Sequence, residues 1–129
     1  MTKTALIVDD NPENLDALAL LLRKEGFKPT TAQTLKELYA ALDTQTQVDV
    51  VFLDLEFPNY SGFEVIGTLR RDERLTNTPI VAYSVHTSEL NEARDAGFDS
   101  FIGKPLMVDR FPAQLQRIMA GESIWEVGN

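Results

Sequence analysis

The chain has 129 residues, no cysteine, and 20 acidic against 12 basic side chains, for a formal net charge of −8. At roughly 150 residues per domain this is one domain, and a hydrophobic share of 43% supplies a real core. Disulfides are excluded, no apolar run approaches the ~20 residues of a membrane span, no secretory signal is expected at the start, and the acidic balance argues against nonspecific or direct DNA binding, which relies on a basic surface. A cytoplasmic setting fits these features.

Two periodicities alternate along the chain. Ala5-Leu6-Ile7-Val8 is a continuous apolar run, as in a strand buried on both faces. Asn11-Pro12 then gives a cap and a first helical residue, Leu15, Leu18, Ala19 and Leu22 recur at helical spacing, and Gly26 ends the helix. A weak strand over about 27–31 follows. Thr34 with Glu37 reads as a capping box ahead of the stripe Leu35, Leu38, Tyr39 and Leu42. Val48 to Leu53 is a second strong strand, Pro58 to Gly62 a turn, and Val65, Ile66 and Leu69 a short helix. Pro79 to Tyr83 is a third strong strand. Ser88 to Ala96 is a helix with a thin apolar face, mainly Leu90 and Ala93, stopped by Gly97. Phe98 to Ile102 is a strand, and Asp109 to Ala120 is the last helix, with Phe111, Leu115, Ile118 and Met119 on one side. Strands separated by helices imply a doubly wound α/β fold: a five-stranded parallel sheet with helices on both faces. Its site is expected at the carboxyl ends of the strands, where strand order reverses.

The residues at those ends are chemically consistent. The first strand ends in Asp9-Asp10, the third in Asp54, the fourth in Ser84, and the fifth is followed by Lys104-Pro105. Three carboxylates packed together repel, and each resists ionisation. A divalent cation relieves this, and an oxygen-only donor set with few carboxylates suits Mg²⁺. Lys104 and Ser84 add an ammonium and a hydroxyl for an anion, best a phosphoryl group, and a carboxylate can itself accept it as an aspartyl-phosphate. Taken singly, each residue has a plainer role as a turn residue, cap or surface lysine, Asp10 as a helix cap in particular.

The segments Leu6-Ile7-Val8-Asp9-Asp10-Asn11, Asp54-Leu55-Glu56-Phe57-Pro58 with Ser61-Gly62, Ala82-Tyr83-Ser84, and Phe101-Ile102-Gly103-Lys104-Pro105 stand in order over about residues 3–120. In these the chain resembles the receiver domain of two-component response regulators, a flavodoxin-like fold. The resemblance is to the stand-alone type, with a receiver over 1–120, a tail over 121–129 and no output domain. It implies that Asp54 accepts a phosphoryl group from a histidine kinase or phosphotransfer protein. It implies Mg²⁺ held by Asp10, Asp54 and the backbone carbonyl of Glu56, with Asp9 acting through a metal-bound water. Ser84 and Lys104 would contact the phosphoryl oxygens, and Phe101 would turn inward as Ser84 moves toward them. A downstream protein would then read helix 88–96, strand 98–102 and helix 109–120. The chain would be a signalling phosphoacceptor rather than an enzyme in the usual sense.

Some positions depart from the family's commonest form. Glu56 brings a fourth acid to the mouth of the site, Val85 sets a β-branched side chain beside the phosphoryl pocket and is expected to narrow it, and Phe57 stands in for a common Met as packing. His86, the one histidine, is either an exposed loop residue or a charge partner for Glu56. The tail carries Ile124, Trp125 and Val127, which are expected to fold back on the domain or to mediate a homodimer or partner contact. Three other readings are weaker. A haloacid dehalogenase-type phosphohydrolase places its nucleophile near the start of the domain. A flavodoxin-like FMN carrier needs a Gly- and hydroxyl-rich loop where Asp-Asp-Asn-Pro stands here. An adaptor that works without phosphorylation has no use for an intact site.

Overall fold

The structure is a computed structural model and describes residues 2–45, 47–56 and 61–126. Among them the elements run β1 (Lys3–Val8), α1 (Pro12–Lys24), β2 (Phe27–Ala32), α2 (Leu35–Thr44), β3 (Val50–Asp54), α3 (Gly62–Arg70), β4 (Ile80–Ser84), α4 (Leu90–Ala96), β5 (Ser100–Gly103), α5 (Phe111–Met119) and β6 (Trp125–Glu126). The sheet has the order β2-β1-β3-β4-β5-β6, and every pair is parallel. The chain therefore leaves β1 toward β2 on one side and returns to β3 on the other. The crevice opened by that reversal lies at the carboxyl ends of β1 and β3.

Strand alternation divides the core in two. Leu6, Val8, Val51, Leu53, Ile80, Ala82 and Phe101 pack with residues of α2, α3 and α4, including Leu38, Val65, Ile66 and Ala93. Ala5, Ile7, Val50, Phe52, Val81, Tyr83 and Ile102 pack with α1 and α5 through Leu15, Leu18, Leu22, Phe111, Leu115 and Ile118. All five residues of β3 and of β4 are buried, which explains the apolar runs that lead up to Asp54 and Ser84 at their carboxyl ends. The helix starts follow the cap residues. Asn11 Oδ1 accepts from the Glu13 amide at 2.9 Å, and Thr34 Oγ1 accepts from the Glu37 amide at 3.1 Å. The Glu37 carboxylate reaches back to the Gln33 amide at 3.0 Å, closing the box on that residue.

Several boundaries differ from the sequence expectation. The helix expected from Ser88 begins as a 3-10 turn, Thr87–Glu89, and becomes α4 only at Leu90. Phe98 lies ahead of β5; its amide donates to the Ala93 carbonyl and closes α4, while Gly97 takes a left-handed φ of 111°. The last helix starts at Phe111 rather than Asp109, with no side chain capping it. The Pro58–Gly62 turn and the packing assigned to Phe57 lie largely or wholly outside the described residues.

The sheet has six strands, not five, because the tail adds to the β5 edge. Ile124 donates its amide to Ser100 Oγ at 3.0 Å, and its carbonyl accepts from the Phe101 amide at 2.8 Å. Trp125 then stands beside Phe101 and Glu126 beside Ile102. An unpaired edge strand is thereby covered. Ile124 is buried at 2% exposure, and the Arg94 guanidinium lies over the Trp125 ring, 4.8 Å from its centre. Gln114 Nε2 donates to Glu126 Oε1 at 2.7 Å. The tail's apolar residues thus fold back on the domain, as the first of the alternatives had it, apart from Val127, which is outside the described residues. Ile124→Ala is expected to lower the unfolding free energy by about 2–4 kcal/mol and to shift the emission of Trp125, the one tryptophan, to the red. Denaturant titration followed by fluorescence checks this; an unchanged midpoint and spectrum would show that the tail is not docked in solution.

Candidate functional site

The ends of β1 and β3 deliver their carboxylates to one place. Asp9, Asp10 and Asp54 each offer an oxygen, and these lie within 4.8 Å of one another. Asp9 and Asp54 are buried at 0% and 1% exposure, whereas Asp10 is exposed. Their backbone turns are fixed by the side chains themselves: Asp9 Oδ1 accepts from the Asn11 amide and Asp54 Oδ1 from the Glu56 amide, both at 2.9 Å. Asn11 rather than Asp10 caps α1, so the Asp10 side chain is not used as a cap.

Lys104 reaches this cluster from the loop after β5. Its Nζ lies 3.0 Å from Asp54 Oδ1 and 3.3 Å from Asp9 Oδ2. The Lys104 amide donates to the Ser84 carbonyl at 2.8 Å, and the Lys104–Pro105 peptide is cis. Tyr83 is a site residue that sequence reading missed. Its hydroxyl donates to Asp9 Oδ2 at 2.8 Å, and its ring lies 4.5 Å from the Lys104 ammonium. The signal was present: a tyrosine in a buried strand needs a partner for its polar tip, and the strand ended among carboxylates.

Ser84, fully buried, stands at the end of β4. Its hydroxyl oxygen lies 3.0 Å from Glu56 Oε1 and 3.0 Å from Glu89 Oε1, and it accepts from the His86 amide at 2.9 Å. Glu89 was not singled out from the sequence, because nothing in its spacing distinguished it from a helix-start acid. Glu56 Oε1 also accepts from the Val85 amide at 2.8 Å. The Glu56 side chain is therefore turned into the site rather than solvated, and among the described residues no ion pair joins it to His86. His86 is exposed, and Val85, 56% exposed as a residue, turns its amide toward Glu56. Phe101 is fully buried among the residues of α3 and α4, ahead of the Lys104 loop.

The charges explain the protonation states. Burial pushes the Asp54 carboxyl up to about 8, helped by the Glu56 and Asp9 side chains and opposed by the Glu56 amide and Lys104. Burial acts on Asp9 in the same direction, but the Asn11 amide, the Tyr83 hydroxyl and Lys104 outweigh it and hold Asp9 below the usual range. Glu56 is likewise held low against its burial, by Asp54, the Val85 amide and Ser84. Among the described residues, Glu56 Oε2 is buried and accepts no hydrogen bond from a fixed donor. A carboxyl kept protonated by burial, with other acids beside it, is a group that a bound cation would ionise. The all-oxygen donors, one of them open to solvent, fit a hard divalent ion.

Asp54 also sets a pH dependence. In the unfolded chain it ionises in the ordinary carboxylate range, but in the folded chain only near pH 8. Folding is accompanied by proton uptake between those limits, so the stability Asp54 contributes is full at low pH and is lost as pH rises to about 8. Asp9 and Glu56, shifted down, act with the opposite sign and only below that window. Metal-free protein should therefore lose stability as pH rises from the ordinary carboxylate range to about 8, by no more than about 1.4 kcal/mol per pH unit. Thermal unfolding of wild type and Asp54→Asn checks this: the decline should flatten in the variant, and an equal decline in both would assign it to other groups.

Residues 5–116 match the model of the response regulator receiver domain family. The polar-differentiation response regulator DivK of Brucella ovis is 32% identical over 114 residues, spanning 86% of this chain and 91% of that protein. The transcriptional regulatory protein KdpE of Mycobacterium tuberculosis is 38% identical over 114 residues, which is 86% of this chain but 48% of that one. The chemotaxis response regulator CheY4 of Vibrio cholerae superposes with a TM-score of 0.82 at 25% identity, covering 92% of this chain and 99% of that one. A CheY-like receiver domain from Methylobacillus flagellatus gives 0.80 at 28% identity and covers the same share of each chain. The fold, the carboxylate crevice and these similarities agree: the chain belongs to the response regulator receiver domain family.

Proposed function

We propose that this domain is a phosphoacceptor in histidine-to-aspartate signalling, with Asp54 as the residue modified. The observation that carries the reading is the pairing of a buried Asp54 with Lys104 at 3.0 Å, beside two further carboxylates at the sheet's reversal point. An Asp54 oxygen attacks the phosphorus of a phosphohistidine on a kinase or phosphotransfer protein. The new O–P bond forms as the P–N bond breaks, and the imidazole leaves. Lys104, already bonded to Asp54, would follow a phosphoryl oxygen, and the Ser84 hydroxyl, bonded to Glu56 at the end of the neighbouring strand, would be its second donor. Asp10, Asp54 and the Glu56 carbonyl, with Asp9 behind them, are the groups that would hold Mg²⁺. Its chemistry there is neutralisation of the charge gathered on the carboxylates and the incoming phosphoryl group.

The added charge on Asp54 draws Ser84 and Lys104 toward it. Ser84 is joined to the start of α4 through Glu89, and β5 carries Phe101 beside α4. A change at Ser84 thus bears on α4, β5 and α5, the surface assigned to a downstream protein. That surface includes the tail, since β6 lies on the β5 edge. No helix among the described residues is long and apolar enough to cross a membrane, and a cytoplasmic location accompanies the signalling role.

Incubation with a small phosphodonor and Mg²⁺, followed by intact mass measurement, tests the reading. Wild type should gain one phosphoryl group, and Asp54→Asn none. Lys104→Ala should slow the gain by roughly a hundredfold, the scale of losing one charge-stabilising group. A wild-type chain that stays unmodified with every donor and kinase would leave the phosphorylation-independent adaptor in its place.

A further inference from the structure

A phosphoryl group on Asp54 would need donors for its outer oxygens, and two lie ready at the end of β4: the Ser84 hydroxyl and the Val85 amide. Both are already taken. Glu56 Oε1 accepts from the amide at 2.8 Å and lies 3.0 Å from the hydroxyl. One oxygen thus bridges two consecutive residues of β4 from the loop after β3. The reach is possible because the Glu56 amide is tied to Asp54 Oδ1, which fixes the backbone from which its side chain crosses. A carboxylate oxygen and a phosphoryl oxygen have the same acceptor chemistry and charge sign, and both form charge-assisted bonds with such donors.

Resting on the phosphoacceptor reading, we propose that the Glu56 side chain is an internal occupant of the cradle formed by the Ser84 hydroxyl and Val85 amide. It competes with the phosphoryl group for those two donors. Glu56 must swing out before a phosphoryl group on Asp54 can be gripped. The departure is driven by the group itself, which brings nearly two negative charges beside a carboxylate. Ser84 has a single hydroxyl proton and two carboxylates at 3.0 Å, Glu56 and Glu89. Once Glu56 leaves, that proton is free to turn to the phosphoryl oxygen or to the start of α4. The side chain two residues after the acceptor thereby sets how readily the domain is modified and what holds Ser84 when it is not.

Charge repulsion alone would also slow modification, and the length of the side chain separates the two causes. Glu56→Asp keeps the charge at the site's mouth but is one methylene short of the cradle. Glu56→Ala removes both charge and contact, and Glu56→Gln keeps the reach without the charge. The Val85 amide proton is first followed by NMR in metal-free, donor-free protein. It should move upfield in the Ala and Asp variants, showing loss of the carboxylate bond. The rate of phosphoryl gain from a small donor with Mg²⁺ should rise about tenfold in both, consistent with release of a charge-assisted pair of bonds, with the Gln variant in between. A Val85 amide that does not move, or an Asp variant that reacts at the wild-type rate while the Ala variant is faster, overturns the proposal. If no variant and no wild type gains a phosphoryl group, the phosphoacceptor reading fails and the competition with it. The Val85 shift would still report separately whether Glu56 sits in the cradle.

Discussion

A single ammonium serves two buried carboxylates in this domain. Lys104 Nζ bonds both Asp9 and Asp54, and Glu56 and Asp10 add two more acids within the same crevice. The negative charge gathered there exceeds what Lys104 can balance. The protein answers in three ways. Asp54 keeps its proton, Asp9 is supplied with donors from Asn11 and Tyr83, and Glu56 is supplied with donors at the end of β4. Each response leaves the site short of positive charge and ready for a cation, a property with no structural benefit of its own. Buried charge of this kind is weak evidence for stability and better evidence for function.

The crevice depends on the sheet order. Because β1 and β3 are neighbours although β2 lies between them in sequence, Asp9, Asp10 and Asp54 meet without any long loop. β4 brings Ser84 to the next place along the same rim, and the loop after β5 brings Lys104. The same strands connect the rim with the far edge. Ser84 touches Glu89 ahead of α4, and the main chain of Phe101 is bonded to Ile124 of the tail. A rearrangement at Asp54 therefore has a short, packed route to the α4–β5–α5 face through side chains that have alternative partners.

Much of this was legible in the sequence, for identifiable reasons. The apolar runs ending in Asp9-Asp10 and in Asp54 marked buried parallel strands and their functional ends together, because a carboxylate is costly at such a place without a use. Asn11, Thr34 and Gly97 marked helix ends through cap chemistry that acts locally. What was not legible depends on contacts between distant segments. β6 pairs only two residues, and its place follows from the open β5 edge and the hydroxyl of Ser100 rather than from any periodicity in the tail. The start of α4 was blurred by the 3-10 turn that lets Glu89 reach Ser84. The sequence marked Glu56 as a fourth acid at the mouth of the site, but the direction its side chain takes needs the position of the Val85 amide, 29 residues further on.

Under the proposed function the carboxylate cluster repels itself until a divalent cation balances it. Thermal unfolding at neutral pH, with and without Mg²⁺, in wild type and Asp10→Asn, tests this most directly. Mg²⁺ is expected to raise the melting temperature of wild type in a saturable way. Asp10→Asn is expected to melt higher than wild type without metal and to gain nothing when Mg²⁺ is added. A wild-type melting temperature indifferent to Mg²⁺, or an Asp10→Asn protein that is destabilised without metal and still responds, would contradict it.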